Sequence, residues 1–351
     1  MMQGSAIDCH FHLFPEAFLA AARVPNNSFK ASIERSSDGA EFLVAEGDFR
    51  HQLVPSFHDA DTIVQDMDHR KIATAVITSA PPTLSYWADA GAAVELAQAI
   101  NEEMAQREAA HPTRFAALGT LPLQDMDASM VEARRAVRDL RLRGFMIGSN
   151  VGGINLDDPY FTPMWETFAE LNVPVFIHPY IPAGAERMRR YYLHNLIGMV
   201  NETAIAIASV VYGGLLERYP DLRLCFAHAG GTYPIIQGRL DHGYRVRPQE
   251  CGAAIPHPPS HYLGKLYFDA ISFSHSALRF LADLVGSDHL VIGSDFPFDM
   301  GPEQPVDAIM SNPYFTEDEK QDIVCRTARE LYGIGDNVAT AGAEEGEGSR
   351  S

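Results

Sequence analysis

Eight short apolar runs recur along the chain, and this repetition constrains its fold more than any other feature. In chain order the runs begin at Ser5, Ile72, Phe115, Gly144, Pro174, Leu222, Leu266 and Leu290. Most are separated by amphipathic segments whose apolar residues recur at spacings of three and four, as in helices. Eight strands alternating with helices predict an α/β fold, specifically a (β/α)8 TIM barrel. The alternative, a doubly wound open sheet, lacks the glycine-rich phosphate loop that would support it.

Two segments interrupt this alternation. Residues of about 20–60 are polar and mixed, which predicts an inserted loop or small hairpin after the first strand, where long loops often carry function. Residues 336–351 have no apolar period and are rich in Gly, Glu and Ser, which predicts a disordered tail. We therefore expect a single barrel domain over residues 1–335.

The composition limits the possible partners and location. The chain has 351 residues and a formal net charge of −19, which disfavours nucleic acid as a partner. No apolar run approaches the roughly 20 residues of a membrane span, and the N-terminus lacks the pattern of a signal peptide. The four cysteines have no C-x-x-C spacing. We therefore expect reduced thiols in a cytoplasmic protein that does not bind membranes.

Polar side chains stand at the ends of four of the predicted strands. His10 and His12 are two residues apart in the first run, so they project from the same face of a strand. His178, His228 and Asp295 end the fifth, sixth and eighth runs, and a barrel brings these ends to one rim. Any one of these residues alone could be structural. Together they predict a metal site, because imidazoles and a carboxylate suit zinc and similar ions.

The stretches "IDCHFHLFP", "FIHPY", "FAHAGGTYPIIQGRLDHGY" and "IGSDFPFDMG" carry a resemblance. In this order they resemble the amidohydrolase superfamily, and more narrowly its branch of metal-dependent non-oxidative decarboxylases. The similarity runs from about Ala6 to Gly333. It implies that His228 is an acid and base beside a metal. It also implies one zinc ion per subunit, with the ligands His10, His12, His178 and Asp295.

The resemblance further implies how a substrate is held. Arg50 and Arg239 match arginines that bind substrate carboxylates in the family, and the planar guanidinium can bond both carboxylate oxygens. Arg239 would come from the other subunit, so the resemblance implies a homodimer. No lysine follows the fourth run, where a carbamylated bridge between two metals would stand. One metal is therefore expected, with manganese or iron(II) still open as alternatives to zinc.

These roles predict a lyase that releases carbon dioxide from a small conjugated or aromatic carboxylate. In the expected reaction His228 helps to protonate the carbon that bears the carboxylate, while Asp295 shares the proton and stays a metal ligand. Two alternatives remain open at this point. One is a metal-dependent hydrolase or hydratase of a related unsaturated or aromatic acid. The other is a structural or regulatory barrel whose metal site binds without turnover.

The chain departs from its branch around the expected pocket. Tyr180 stands where relatives have tryptophan after "HP", and "YLHNL" replaces a "WLPWL"-like stretch, so that His194 and Asn195 replace a proline and a tryptophan. Aromatic walls stack flat conjugated ligands, so these losses favour a different or more polar substrate. The alternative is drift in a pocket that binds an unchanged ligand. Tyr180, His194 and Asn195 are therefore candidate substrate-binding residues.

Overall fold

The computed structural model describes residues 6–46 and 49–335, so the predicted disordered tail lies outside the described residues. Thirteen strands occur in the described ranges. In chain order they are β1 (Ile7–Leu13), β2 (Ser32–Arg35), β3 (Glu41–Ala45), β4 (Phe49–Gln52), β5 (Thr74–Ser79), β6 (Phe115–Ala117), β7 (Phe145–Gly148), β8 (Asn150–Val151), β9 (Ile154–Asn155), β10 (Pro174–His178), β11 (Arg223–Phe226), β12 (Tyr267–Asp269) and β13 (Leu290–Val291). Eight of them fall in the eight apolar runs.

These eight strands are parallel and form two sheets. One sheet has the order β1-β5-β6 and the other β13-β12-β11-β10-β7. Isolated parallel bridges link the sheets at both seams, from Asp8 to Ile292 on one side and from Gly119 to Phe145 on the other. The resulting strand order follows the chain around a ring. The predicted (β/α)8 barrel is therefore confirmed.

Helices alternate with the barrel strands. Within the described residues they are α1 (Glu16–Ala22), α2 (Ala60–His69), α3 (Ala90–Ala110), α4 (Met126–Arg138), α5 (Thr162–Leu171), α6 (Val200–Tyr212), α7 (Leu215–Arg218), α8 (Tyr233–Val246), α9 (Pro248–Cys251), α10 (Ser260–Leu263), α11 (His275–Val285), α12 (Pro305–Met310), α13 (Glu317–Gln321) and α14 (Thr327–Tyr332). Side-chain caps fix several of their starts. Asp59, Asp89 and Asp125 accept backbone N–H groups in the first turns of α2, α3 and α4.

The first strand is buried along its whole length although it contains Asp8, His10 and His12. Strands of a parallel barrel are covered on both faces, so its alternating apolar residues pack away from the histidines. The pairing with β5 shifts register between Asp8 and Phe11, which marks a β-bulge beside the histidines. Local patterning thus brings both imidazoles to the inside of the barrel rim.

The insertion after β1 is a three-stranded antiparallel sheet of order β2-β3-β4, one strand more than a hairpin. Two hydrogen bonds tie it to the barrel loops. Trp87 Nε1 donates to the Phe29 carbonyl at 3.1 Å, and the Tyr180 hydroxyl donates to the Glu46 carbonyl at 2.9 Å. The sheet therefore forms a wall beside the carboxyl ends of the barrel strands.

Among the described residues one helical segment, His194–Tyr212, has the length and hydropathy of a membrane span. It joins a π-helical stretch to α6, and its most apolar 18-residue window has a mean hydropathy of 1.3. Polar residues, among them Asn201, Glu202 and Thr203, interrupt this segment, so it is not a continuous apolar run. Half of that window is buried, and α6 packs against α8, as the core helix of a globular protein does.

Candidate metal centre

Three histidines direct their Nε2 atoms into one buried space. His10 and His12 lie on β1, and His178 ends β10. Their ring centroids are 4.8 to 5.0 Å apart. Each Nε2 is buried and has no hydrogen-bond partner in the described part of the chain. Because an unpartnered buried polar atom is costly, three of them facing one another indicate a site for a cation.

The opposite nitrogen of each ring is held by an oxygen. The pairs are His10 Nδ1 with Asp269 Oδ2 at 2.6 Å, His12 Nδ1 with Thr78 Oγ1 at 2.7 Å, and His178 Nδ1 with the Pro179 carbonyl at 2.8 Å. A carboxylate and a carbonyl can only accept, and the Thr78 hydroxyl already donates to the Phe11 carbonyl. Each Nδ1 therefore carries the proton, which leaves the Nε2 lone pair free to bind a metal.

Asp295 supplies the negative charge of the group. Its Oδ1 lies 3.2 Å from His10 Nε2 and 3.3 Å from His12 Nε2. Two ligands of one tetrahedral zinc ion, each about 2.1 Å from it, would be about 3.4 Å apart. Potential ligand atoms of His178 and His228 also lie within 4.8 Å of those of His10 and Asp295. The residues present thus fit a divalent metal.

The pKa shifts point the same way. Burial lowers the pKa of His12 to about 4 and holds that of His178 well below its usual value, so both rings are neutral. Burial also acts to lower the pKa of His10, but the charges of Asp295 and Asp269 outweigh burial and raise it to about 10. An imidazole between two carboxylates requires a positive charge, which a proton or a metal at Nε2 can supply.

His228 stands beside the three imidazoles, at the end of the sixth apolar run. Its Nε2 lies 3.8 Å from Asp295 Oδ2, the carboxylate oxygen that faces away from His10 and His12. His228 and Ala229 have left-handed φ angles of 57° and 53°, a conformation that costs free energy in non-glycine residues. Their backbone N–H groups donate to Asp269 at 2.8 and 2.9 Å, which stabilises this turn.

Asp269 therefore joins two strand ends through one buried carboxylate. One oxygen bonds the His10 ring and the His228 N–H, and the other bonds the N–H groups of Ala229 and Ile271. Sequence reasoning missed this residue, which ends β12 but lies inside the seventh run, "LYFDAI", and does not close it. It also missed Thr78, for which there is no signal, because threonine is ordinary in a strand.

A cavity of about 160 Å³ adjoins the metal centre. His178, His228 and Asp295 line its floor, and Phe49 and Phe298 line one wall. A larger, more apolar cavity of about 480 Å³ shares Asn195, His228, Asp295 and two methionines with it. The space suits a small molecule.

Four of the predicted substrate-binding residues line the smaller cavity, namely Arg50, Tyr180, His194 and Asn195. The Arg50 guanidinium, however, lies 3.9 Å from the Phe42 ring centroid and 3.6 Å from Glu34. It occupies the face of β4 opposite to Phe49. Arg239 is exposed on α8 and lines neither cavity of its own chain.

Glu202, a buried carboxylate on α6 that sequence reasoning also missed, supports the loop that carries Tyr180 and leads to the helical segment beginning at His194. Its oxygens accept from Asn150 Nδ2 at 2.8 Å and from the Ala183 N–H at 2.9 Å. Asn150 Nδ2 also lies 3.3 Å from the Tyr180 carbonyl. Glu202 thus connects the loops after the fourth and fifth barrel strands.

Comparisons with known proteins agree with this architecture. A family model described as Amidohydrolase matches residues 7–334. The 2-amino-3-carboxymuconate-6-semialdehyde decarboxylase of Dictyostelium discoideum is 35% identical over 331 residues, which are 94% of this chain and 92% of that protein. Among solved structures, Metarhizium anisopliae IDCase in apo form has a TM-score of 0.83 at 24% identity, over 94% of this chain and 97% of that one.

A second solved structure is the 5-carboxyvanillate decarboxylase of Novosphingobium aromaticivorans, complexed with manganese and 4-hydroxy-3-methoxy-5-nitrobenzoic acid. Its TM-score is 0.78 at 21% identity, over 94% of this chain and 96% of that one. The chain belongs to the amidohydrolase family. Within that family it is a metal-dependent carboxy-lyase, the branch that the sequence motifs indicated.

Proposed function

We propose that this protein is a zinc-dependent, cytoplasmic decarboxylase that releases carbon dioxide from a small conjugated or aromatic carboxylate. An acid resembling aminocarboxymuconate semialdehyde is one such substrate, which the name of the Dictyostelium relative supports. The observation that carries the proposal is the convergence of three unpartnered Nε2 atoms on Asp295. Three imidazoles and a carboxylate suit zinc. The four free cysteines support a reducing compartment.

In this proposal His10, His12, His178 and Asp295 hold one zinc ion per subunit. When bound, the metal supplies a Lewis acid that attracts an anionic substrate and makes water more acidic. His228 carries the proton of the reaction, and the Asp295 carboxylate, whose Oδ2 lies 3.8 Å away, shares that proton once the two groups come within hydrogen-bond distance. Asp269 keeps the His228 backbone in place during the transfer.

The reaction replaces the carboxylate on one substrate carbon with a hydrogen atom. A proton carried by His228 adds to the ring or chain carbon that bears the carboxylate, which interrupts conjugation at that carbon. The bond between this carbon and the carboxylate then breaks, and carbon dioxide leaves. The electron pair of the broken bond stays on the substrate and restores conjugation. Arg50 of the same subunit and Arg239 of the partner subunit bind carboxylate groups of the substrate. The exposure of Arg239 on α8 supports its use across a dimer interface.

The test is carbon dioxide release from a panel of conjugated and of ortho-hydroxy or ortho-amino aromatic carboxylates, with zinc-loaded protein. We expect release that stops on chelation. His228→Ala should keep its zinc and lose about 100- to 10,000-fold in rate. His257→Ala, at an exposed histidine outside both cavities, is the matched control.

Other outcomes identify the alternatives. Water addition or bond hydrolysis without carbon dioxide would move the protein to the hydratase or hydrolase class. A protein that binds zinc and the acids, and whose behaviour does not change in His228→Ala, would be a binding protein. Either result would contradict the proposed decarboxylation.

The dimer has its own test, in which two inactive variants are mixed. Arg239→Ala and His228→Ala subunits, exchanged at equal amounts, should form hybrids in which one site has both native residues. About a quarter of the wild-type activity should return. If the mixture stays inactive although subunit exchange has been verified, donation of Arg239 across the interface would be contradicted.

A further inference from the structure

His51 is a half-buried imidazole in the cavity wall that the proposed reaction does not use. Phe49, Arg50 and His51 of β4 all line the cavity, and the Arg50 guanidinium also packs on the Phe42 ring. The His51 ring lies 4.8 Å from the Phe49 ring and 5.4 Å from the Phe298 ring. Within the described ranges its ring nitrogens have no hydrogen-bond partner. The imidazole is therefore available to a ligand.

Phe298 separates His51 from the metal centre. The Phe298 ring lies 5.7 Å from the His12 ring and 5.4 Å from the His51 ring. His51 is also outside the group of residues whose donor atoms converge within 4.8 Å. A ligand group that contacts His51 would therefore have the Phe298 ring between it and His12 of the candidate metal centre.

Asp299 places an uncommitted carboxylate at the same wall. It follows Phe298, lines the cavity at its exposed rim, and has no ion pair or side-chain hydrogen bond in the described part of the chain. Burial lowers the pKa of His51, and the charges of Asp299 and Asp295 oppose that shift. A carboxylate in a cavity for an anion is unfavourable unless it meets a hydrogen-bond donor.

The opposite wall is polar as well. His194 and Asn195 line the cavity, and the His194 ring packs 4.7 Å from the Tyr192 ring. Neither side chain has a hydrogen-bond partner among the residues that the structure describes. Four polar side chains without a hydrogen-bond partner in the described chain thus line the cavity together with phenylalanine and proline side chains, namely His51, His194, Asn195 and Asp299.

We infer that the substrate acid carries a second polar group, an amino or hydroxyl donor remote from the departing carboxylate, and that His51 and Asp299 bind it. The inference rests on the proposed function and narrows its substrate class. Asp299 accepts the hydrogen bond from this donor, and His51 forms the rest of the binding site for the same group. A site built to bond such a group discriminates against an acid that lacks it, because its polar side chains would then be left unpaired.

The experiment compares three acids that differ only in the group remote from the carboxylate: 2-hydroxybenzoate, 2,4-dihydroxybenzoate and 4-amino-2-hydroxybenzoate. Carbon dioxide release and calorimetric binding are both measured with zinc-loaded protein. We expect the wild type to favour a substituted acid by roughly 10- to 100-fold in kcat/KM and in Kd. Asp299→Asn and His51→Phe should each remove most of that preference, so that the three acids are treated nearly alike.

Asp61→Asn, at an exposed aspartate on α2 outside the cavity, is the matched control. Equal treatment of all three acids by the wild type, or a preference that persists in both variants, would overturn the inference while release of carbon dioxide sustains the proposed function. A binding preference that Asp299→Asn abolishes, without release from any acid, would instead sustain the recognition site and overturn the decarboxylase. Absence of both binding and release would overturn the two together.

Discussion

The floor and the rim of the active-site cavity are built in opposite ways. At the floor, each buried imidazole is held at Nδ1 by a partner, so its Nε2 atom is oriented before any ligand arrives. At the rim, four polar side chains in the described chain have no hydrogen-bond partner, namely His51, His194, Asn195 and Asp299. The floor belongs to strand ends of a rigid barrel, whereas the rim belongs to an insertion and to loops.

This difference indicates that the floor controls metal binding and that the rim controls substrate selection. A metal requires donors held in one geometry, which rigid strands and a supporting hydrogen-bond shell provide. Selection among related acids requires only that a few polar groups meet the ligand, which loops can vary without disturbing the barrel. Substitutions at the floor should therefore change metal binding, and those at the rim should change substrate preference.

The largest effect is expected from removing a floor ligand while sparing the rim. His178→Ala removes an Nε2 donor and should lose stoichiometric zinc, with carbon dioxide release falling at least about 1000-fold. His194→Ala removes a rim imidazole and should keep its zinc. Metal content after dialysis, measured by mass spectrometry, checks both. Full zinc content in His178→Ala would break the distinction between floor and rim.

A smaller effect is expected at the shell that supports the floor. Asp269→Asn keeps the size of the side chain but replaces one accepting oxygen with a donating amide, which cannot serve both His10 and the backbone N–H groups. Zinc affinity should fall about 10- to 100-fold. Competition with a chromophoric chelator measures the change, with Asp61→Asn as control. An unaltered affinity would mean that His10 does not need this partner.

Glu202 tests whether the rim depends on support from the barrel. Glu202→Ala leaves the Asn150 amide and the Ala183 N–H without their acceptor. The free energy of unfolding should fall by about 1–3 kcal/mol. KM should rise several-fold while zinc content stays complete. Urea unfolding and steady-state kinetics measure the two effects, and Glu202→Gln should recover part of each. Loss of zinc instead would show that Glu202 supports the floor.

The smallest effect is expected outside the cavity. Lys71 Nζ lies 2.7 Å from Asp307, but both side chains are about half exposed, at 54% and 50%. An exposed ion pair of this kind contributes about 0–1 kcal/mol. Lys71→Ala should therefore leave the free energy of unfolding nearly unchanged, and zinc content and kinetics with it. A loss above about 2 kcal/mol would contradict the surface character of this pair.

Sequence reasoning identified the residues that the structure brings together in the candidate metal centre, because barrel topology makes a local pattern informative. A polar residue that closes an apolar run must reach the same rim as the others, so His178 and Asp295 were identifiable without knowing their neighbours. Asp269 was overlooked because two apolar residues, Ala270 and Ile271, follow it in its run. The strand ends themselves were less accurate. The eighth run was expected to extend to Asp295, but β13 ends at Val291, and Asp295 takes a left-handed φ of 52°.

Orientation at the rim could not be read in the same way. Arg50 was expected to bind the substrate, and it lines the cavity, but its guanidinium also packs on Phe42 and lies 3.6 Å from Glu34, and the neighbouring His51 lines the same cavity. A shift of one residue in an antiparallel strand exchanges the two faces. Nothing in the sequence of the insertion specifies that register.

Apolar periodicity and strand-end chemistry were thus enough to establish the barrel and the residues around its metal, because both depend on spacings of two to four residues along the chain. Only the tertiary structure decided that Asp269 would orient His10, 259 residues away in sequence, and that His51 and Asp299 would line one cavity. Such contacts join side chains from separate elements. Their geometry depends on how those elements pack and in which register they pair, which short-range spacing does not encode.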